Sequence, residues 1–206
     1  MLLPLLFLAD TIHLVRAAHP IVFDGRADTA EYGTPSIAIA RPAGTVRIWL
    51  RREGDSVFIA ADLPDSTWYW GDDLVISLDV RGAGGEAPGL DQFQWYFRRM
   101  LDSSVVDRGR DGTWHPPRDD PDWRLGGERE GGGWAVRSAE RGTGWSLELR
   151  LDAAWFTEAR NGAPRIAFRT YDDTRSGWYA WPSPPGLPSP TEVERRPSLW
   201  AVVARN

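Results

Sequence analysis

The stretch Asp73-Leu74-Val75-Ile76-Ser77-Leu78-Asp79-Val80 decides the fold class. In an extended chain Leu74, Ile76, Leu78 and Val80 fall on one side, and Asp73, Val75, Ser77 and Asp79 on the other. A helix would spread both sets around its circumference. The same period of two recurs in Val57, Ile59, Ala61 and Leu63, and in Phe93, Trp95 and Phe97. It returns in Trp145, Leu147, Leu149 and Leu151, in Ile166, Phe168 and Thr170, and in Leu199, Ala201 and Val203. Turn-forming runs separate these segments: Glu53-Gly54-Asp55, Gly82-Ala83-Gly84-Gly85, Asp111-Gly112, Gly131-Gly132-Gly133 and Asn161-Gly162. One helical turn is predicted at Asp152-Ala153-Ala154-Trp155-Phe156, capped by Asp152. The Pro-rich residues 183–198 read as an irregular loop before a last strand. The pattern predicts an all-β domain, an antiparallel β-sandwich of jelly-roll type with an immunoglobulin-like overall shape.

A chain of 206 residues with 42% hydrophobic content suits one domain, expected over residues 19–206. Residues 1–18 read as a signal peptide, with an apolar run from Met1 to Ala9 and Val15-Arg16-Ala17 as a small-residue cleavage site. No basic segment precedes that run, and Asp10 and His13 interrupt it. The run is too short for a membrane-spanning helix, so a secreted or periplasmic monomer without a transmembrane segment is expected. A net charge of -5 gives no reason to expect nucleic acid as a partner. All 24 basic residues are arginine, so no lysine can act as nucleophile, Schiff base or axial ligand. The absence of cysteine excludes disulfides, thiolate metal sites and cysteine catalysis.

No G-x-S-x-G, H-E-x-x-H or phosphate-binding glycine loop is present. Glycoside hydrolysis needs two carboxylates roughly 5–9.5 Å apart. Glu148 with Asp73 or Asp79 is the pair that strand parity offers, and an autonomous enzyme is not expected. Twelve tryptophans are the more telling feature. Trp49 stands between Arg47 and Arg51 on the face opposite Val46, Ile48 and Leu50. Trp68 and Trp70 precede the acidic pair Asp72 and Asp73, and Trp178 and Trp181 lie in a Gly/Pro/Ser-punctuated stretch. Indole faces displayed this way suit stacking on a flat ligand such as a sugar ring. Gln94, Tyr96 and Arg98, opposite Phe93, Trp95 and Phe97, add the amide and guanidinium groups that hydroxyls pair with.

Several ordered segments carry a family resemblance. They are Ile21-Val22-Phe23-Asp24-Gly25 with Glu31-Tyr32-Gly33, then Asp55-Ser56-Val57-Phe58-Ile59-Ala60-Ala61-Asp62 and Trp70-Gly71-Asp72-Asp73-Leu74-Val75-Ile76-Ser77-Leu78-Asp79. Gly144-Trp145-Ser146-Leu147-Glu148-Leu149-Arg150-Leu151 and Arg165-Ile166-Ala167-Phe168-Arg169-Thr170-Tyr171-Asp172-Asp173 follow. Their succession over residues 20–204 resembles the family 9 carbohydrate-binding modules and the wider DOMON-like group. The resemblance implies a non-catalytic module that takes a poly- or oligosaccharide between two tryptophans and supports glycan degradation. Trp70 matches the first stacking position, Asp73 the nearby carboxylate, and Gln94 or Arg98 the polar strand that follows. The second tryptophan falls after Asp172-Asp173, at Trp178 or Trp181, with Asp173 beside the ligand. It also implies structural calcium, for which Asp62, Asp72 and Asp172 are the candidate ligands. The segment 101–133 is longer than the family pattern.

Two other classes compete. Aromatics and arginine also dominate protein interfaces, so an envelope structural or protein-binding sandwich would show the same residues. Some DOMON-like domains hold haem through Met with His or Lys. This chain offers only Met100 and His115 for that role, and no haem is expected.

Overall fold

The structure is a computed structural model that describes residues 10–65, 67, 73–99, 101–116, 133–156 and 162–205, with 101–105 as backbone only. The described residues contain thirteen strands. These are β1 (Thr11–Arg16), β2 (Ile37–Ile39), β3 (Val46–Glu53), β4 (Ser56–Pro64), β5 (Asp73–Asp79), β6 (Gln92–Arg98) and β7 (Leu101–Arg110). After them come β8 (Thr113–His115), β9 (Trp134–Arg141), β10 (Gly144–Asp152), β11 (Arg165–Asp172), β12 (Gly177–Trp181) and β13 (Ala201–Arg205). Two short helices, α1 (Thr29–Tyr32) and α2 (Thr191–Arg195), interrupt them. The all-β expectation holds.

The strands form one mixed sheet, ordered β8-β7-β6-β5-β11-β13-β1-β3-β4-β10-β9 and curled into a half-barrel, with β12 added on β11 and β2 on β3. Pairing is antiparallel except at β1. This strand runs parallel to β13 through Thr11↔Val202 to Leu14↔Arg205, then parallel to β3 at Val15↔Arg51 and Arg16↔Arg52. It therefore joins the two halves of the sheet. Ile12 and Leu14 are buried, so part of the stretch read as a leader is built into the core.

The two halves close on one apolar core. Leu74, Ile76, Leu78, Trp95, Ile166 and Phe168 meet Ile48, Leu50, Ile59, Leu147 and Leu149. Each belongs to the inward-facing set of its strand, as the period of two requires. Trp145 and Trp155 also pack there, Trp155 with its ring 4.9 Å from Phe93 and 5.6 Å from Trp95. The Asp152 side chain caps the 3-10 turn at Ala153–Phe156 by accepting from the Ala154 amide at 2.9 Å.

The outward face of β3, β4 and β10 is not a surface. Residues 21–36 cover it, and their Ala27 and Tyr32 join Trp49 of β3 and Phe58 and Ala60 of β4 in a second apolar layer. Trp49 is 0% exposed, and its Nε1 donates to the Gly33 carbonyl at 2.8 Å. This corrects the expectation that Trp49 is displayed. Parity placed it correctly away from the main core, but a later layer covers it. Arg51 fastens the same segment by donating to the carbonyls of Tyr32 and Thr34 and to Ser36 Oγ.

Glu148 is buried under this layer. Its carboxylate accepts from the Gly25 amide at 2.6 Å and from the Tyr32 hydroxyl. Burial raises the Glu148 carboxyl above the usual range, while these donors pull it back. Gly25 has φ +87°, and a Cβ there would stand 2.6 Å from the Ser138 carbonyl carbon, so the Asp24-Gly25 pair answers a steric need. Glu148 and the Asp73/Asp79 pair point away from opposite sides of the core. The hydrolytic pairing that parity allowed is thus ruled out by the curl of the sheet.

Candidate functional site

On the other half of the sheet, the outward face presents four aligned strands. The register pairs Asp73 with Arg98, Val75 with Tyr96 and Ser77 with Gln94. Arg169 lies opposite Val75 on one side and Ala180 on the other, and Tyr171 lies opposite Trp178. The alternation that turns Leu74, Phe97, Phe168 and Trp181 toward the core therefore gathers Asp73, Tyr96, Arg98, Arg169, Tyr171 and Trp178 on one face.

Part of this face is covered from residue 187 onward. Ala167, Val193 and Trp200 form a buried cluster with Leu187, Trp114 and Ala180 against it. Trp200 stacks on Trp114, with ring centroids 6.4 Å apart and planes 4° apart, and donates from Nε1 to the Val193 carbonyl at 2.6 Å. The Pro-rich stretch read as irregular thus carries α2 and a 3-10 turn at Pro197–Leu199. Gln94 is buried in this half of the face and donates to Ser77 Oγ at 3.3 Å.

The other half stays open around Trp178, which is half-buried. The Arg169 guanidinium carbon sits 3.9 Å from the centroid of its ring, and Tyr171 meets it edge-on at 5.2 Å. A cation held over an indole face fixes the ring and is favourable when desolvated. Arg169 is itself nearly buried and ion-paired to Glu194 of α2. Burial lowers its pKa, and Glu194, Tyr96 and Asp73 oppose that shift. Beside it Asp73, 4% exposed, accepts from the Tyr96 hydroxyl, and Arg98 Nε lies 3.7 Å from Asp73 Oδ1. That oxygen accepts no hydrogen bond from the described residues. Burial raises the Asp73 carboxyl against the pull of Tyr96 and Arg98, and burial with the Asp73 bond pushes the Tyr96 phenol up to about 12. The Arg98 guanidinium carbon lies 5.0 Å from the centroid of the Tyr96 ring.

Arg41 braces this corner from behind. It is 8% exposed and donates to the Tyr171 carbonyl at 2.6 Å, to Thr170 Oγ1 at 3.2 Å and to the Pro64 carbonyl at 2.5 Å. The bonds tie the end of β4 to the end of β11.

No protein-family model matches the sequence, and no curated protein matches it. Solved structures do. A family 9 carbohydrate-binding module from Caldicellulosiruptor kristjanssonii in complex with cellotriose superposes with a TM-score of 0.63 over 96% of this chain and 94% of that one. The same organism's module in complex with glucose gives 0.61 over 96% of each. The fold is that of the family 9 carbohydrate-binding modules. At 14% identity the likeness is one of fold.

In this family 9 fold the residues singled out from the sequence separate into groups. Asp73, Arg98 and Trp178 come together on the open face. Gln94 shares that face but lies under cover. Trp181 pairs with Phe168 across the strands, its ring 6.2 Å from the Phe168 ring, and packs half-buried against the core side. Asp173 opens the 3-10 turn between β11 and β12 and is half-buried. Trp70 and Asp72 lie outside the described residues. Asp62 is held by Arg141 at 2.7 Å and Arg47 at 3.4 Å, while Asp172 accepts from the amides of Ala43 and Thr174 at 2.8 and 2.9 Å. Among the described residues no three His, Asp or Glu side chains gather as a metal ion would require. The sequence reading did not single out Arg169 or Tyr171, although their alternation with Phe168 and Thr170 was readable.

Proposed function

We propose that this chain binds carbohydrate without catalysis, at the open face around Trp178. The observation that carries the proposal is the pairing of a braced, half-buried indole with a buried carboxylate oxygen that accepts no hydrogen bond from the described residues. A sugar ring stacks its C–H face on an aromatic plane while its hydroxyls seek fixed acceptors and donors. Asp73 supplies the acceptor and Arg98 the donors. Trp178 and Asp73 stand two strands apart, about 10 Å, a span that one or two sugar rings cover. The two similar structures, solved with cellotriose and with glucose, support a glucose-based ligand.

The geometry also supports a binding role over an enzymatic one. Among the described residues the open face holds Asp73 and, at its edge, Glu194, which is engaged by Arg169, whereas the retaining and inverting mechanisms each need two facing carboxyl groups available to the substrate. Stacking is worth about 0.5–1.5 kcal/mol beyond area burial, and with a few hydrogen bonds this gives affinity well short of nanomolar. Calorimetric titration with glucose, cellobiose and cellotriose tests the reading. Saturable heat without release of reducing sugar is the expected result. Absence of binding to each of the three by the folded protein would overturn the glucose-based reading.

A further inference from the structure

The inward-facing rows of three neighbouring strands end in arginine. On β1 the row is Ile12, Leu14, Arg16; on β3 it is Val46, Ile48, Leu50, Arg52; on β13 it is Ala201, Val203, Arg205. The first members of each row lie in the core or are fully buried, so the arginines are where each row leaves it. Because β13, β1 and β3 are adjacent and parallel, the three ends meet at one rim of the half-barrel. The register sets Arg16 directly beside Arg52, and Arg205 beside Leu14.

Together with Leu14 and Gly54, these arginines line a cavity of about 290 Å³. No carboxylate of the described residues lines it. Arg52 donates from Nε to the Gly54 carbonyl at 3.2 Å, and its two terminal nitrogens bond no acceptor among the described residues. The chain as a whole is acidic, with a net charge of -5, so this rim is a local reversal of sign. Like charges directly opposite on neighbouring strands, about 4.8 Å apart, destabilise a sheet unless something of opposite charge sits between them. Three planar donor forks around one cavity suit an acceptor with several oxygens and a negative charge.

We propose that this rim is an oxyanion site that takes a tetrahedral phosphate or sulfate group. It lies on the inward rows of β1, β3 and β13, whereas Trp178 and Asp73 lie on outward rows of other strands. The proposal therefore does not rest on the carbohydrate reading.

The test uses the full chain and inorganic anions. Melting is followed in sodium phosphate, sodium sulfate and sodium chloride at equal ionic strength and about pH 8, where phosphate is mostly dianionic. Phosphate, sulfate or both raise the melting temperature saturably over chloride. Which of the two acts identifies the group the site accepts. Arg16→Gln and Arg52→Gln each weaken the half-saturating concentration by about tenfold or more. In chloride these variants melt no lower than the parent, because they remove repulsion rather than packing. Broadening of the phosphate phosphorus-31 resonance by the parent, reversed by sulfate, reads the same site without a variant. Equal melting in all three salts with no broadening would overturn the proposal, as would an anion effect that survives both substitutions.

Discussion

Trp49→Ala tests whether the layer formed by residues 21–36 is part of the folded domain. Trp49 is fully buried, packs against Tyr32 with ring centroids 5.9 Å apart, and donates to Gly33. Truncating a buried tryptophan to alanine costs about 3–5 kcal/mol through lost transfer energy and the cavity left behind. The orphaned Gly33 carbonyl adds about 1 kcal/mol unless water reaches it. Against a total stability of about 5–15 kcal/mol, this is about a fifth or more of what holds the domain together. For a domain of this size the melting temperature falls by about 6–24 °C. Thermal and urea unfolding followed by far-ultraviolet circular dichroism measure the loss. A change below about 1 kcal/mol would show that Trp49 is solvated and the covering layer is not formed, refuting the reasoning.

Three further outcomes follow from the architecture. Deleting residues 1–18 removes β1 and leaves β13 and β3 with open edges, so the shortened chain is expected to aggregate or lose cooperative melting; a cooperative transition within a few degrees of the parent would contradict this. Arg41→Ala leaves the carbonyls of Tyr171 and Pro64 without their donor, for a cost of about 2–4 kcal/mol in urea denaturation and a weaker sugar site. Because burial raises the Asp73 carboxyl, acidification neutralises it at a higher pH than an ordinary aspartate near 3.9, and sugar affinity falls over that interval. The stability linkage has the opposite sign. A raised folded-state pKa contributes stability that is full below the unfolded value and fades as the pH rises through the folded one. Asp73→Asn removes both dependences, which titrations from about pH 7 down to about pH 4 would reveal.

How much was legible in the sequence depended on how each residue's environment is built. The inward rows of β5, β6, β10 and β11 could be read directly, since alternation reports which side chains share a face. It does not report what later covers the opposite face. Trp49 and Glu148 therefore looked outward, and the covering residues 21–36 carried little periodicity of their own. Gln94 was placed on the correct face, but Val193 and Trp200 arrive from about a hundred residues further along the chain to cover that half of it. The strand β1 was hidden because Ile12 and Leu14 continue an apolar run that also fits a leader. Trp178 and Trp181 stood equal in sequence, and only the register of β12 on β11 sends one outward and the other toward the core.

The most direct test of the central claim is intrinsic tryptophan fluorescence titrated with glucose and cello-oligosaccharides, in the full chain and in Trp178→Ala. The account predicts a saturable change in the parent and its loss, or at least a tenfold weaker response, in the variant. Saturable binding of equal strength in both proteins would contradict the placement of the site, and no binding by the folded parent would contradict the carbohydrate function itself.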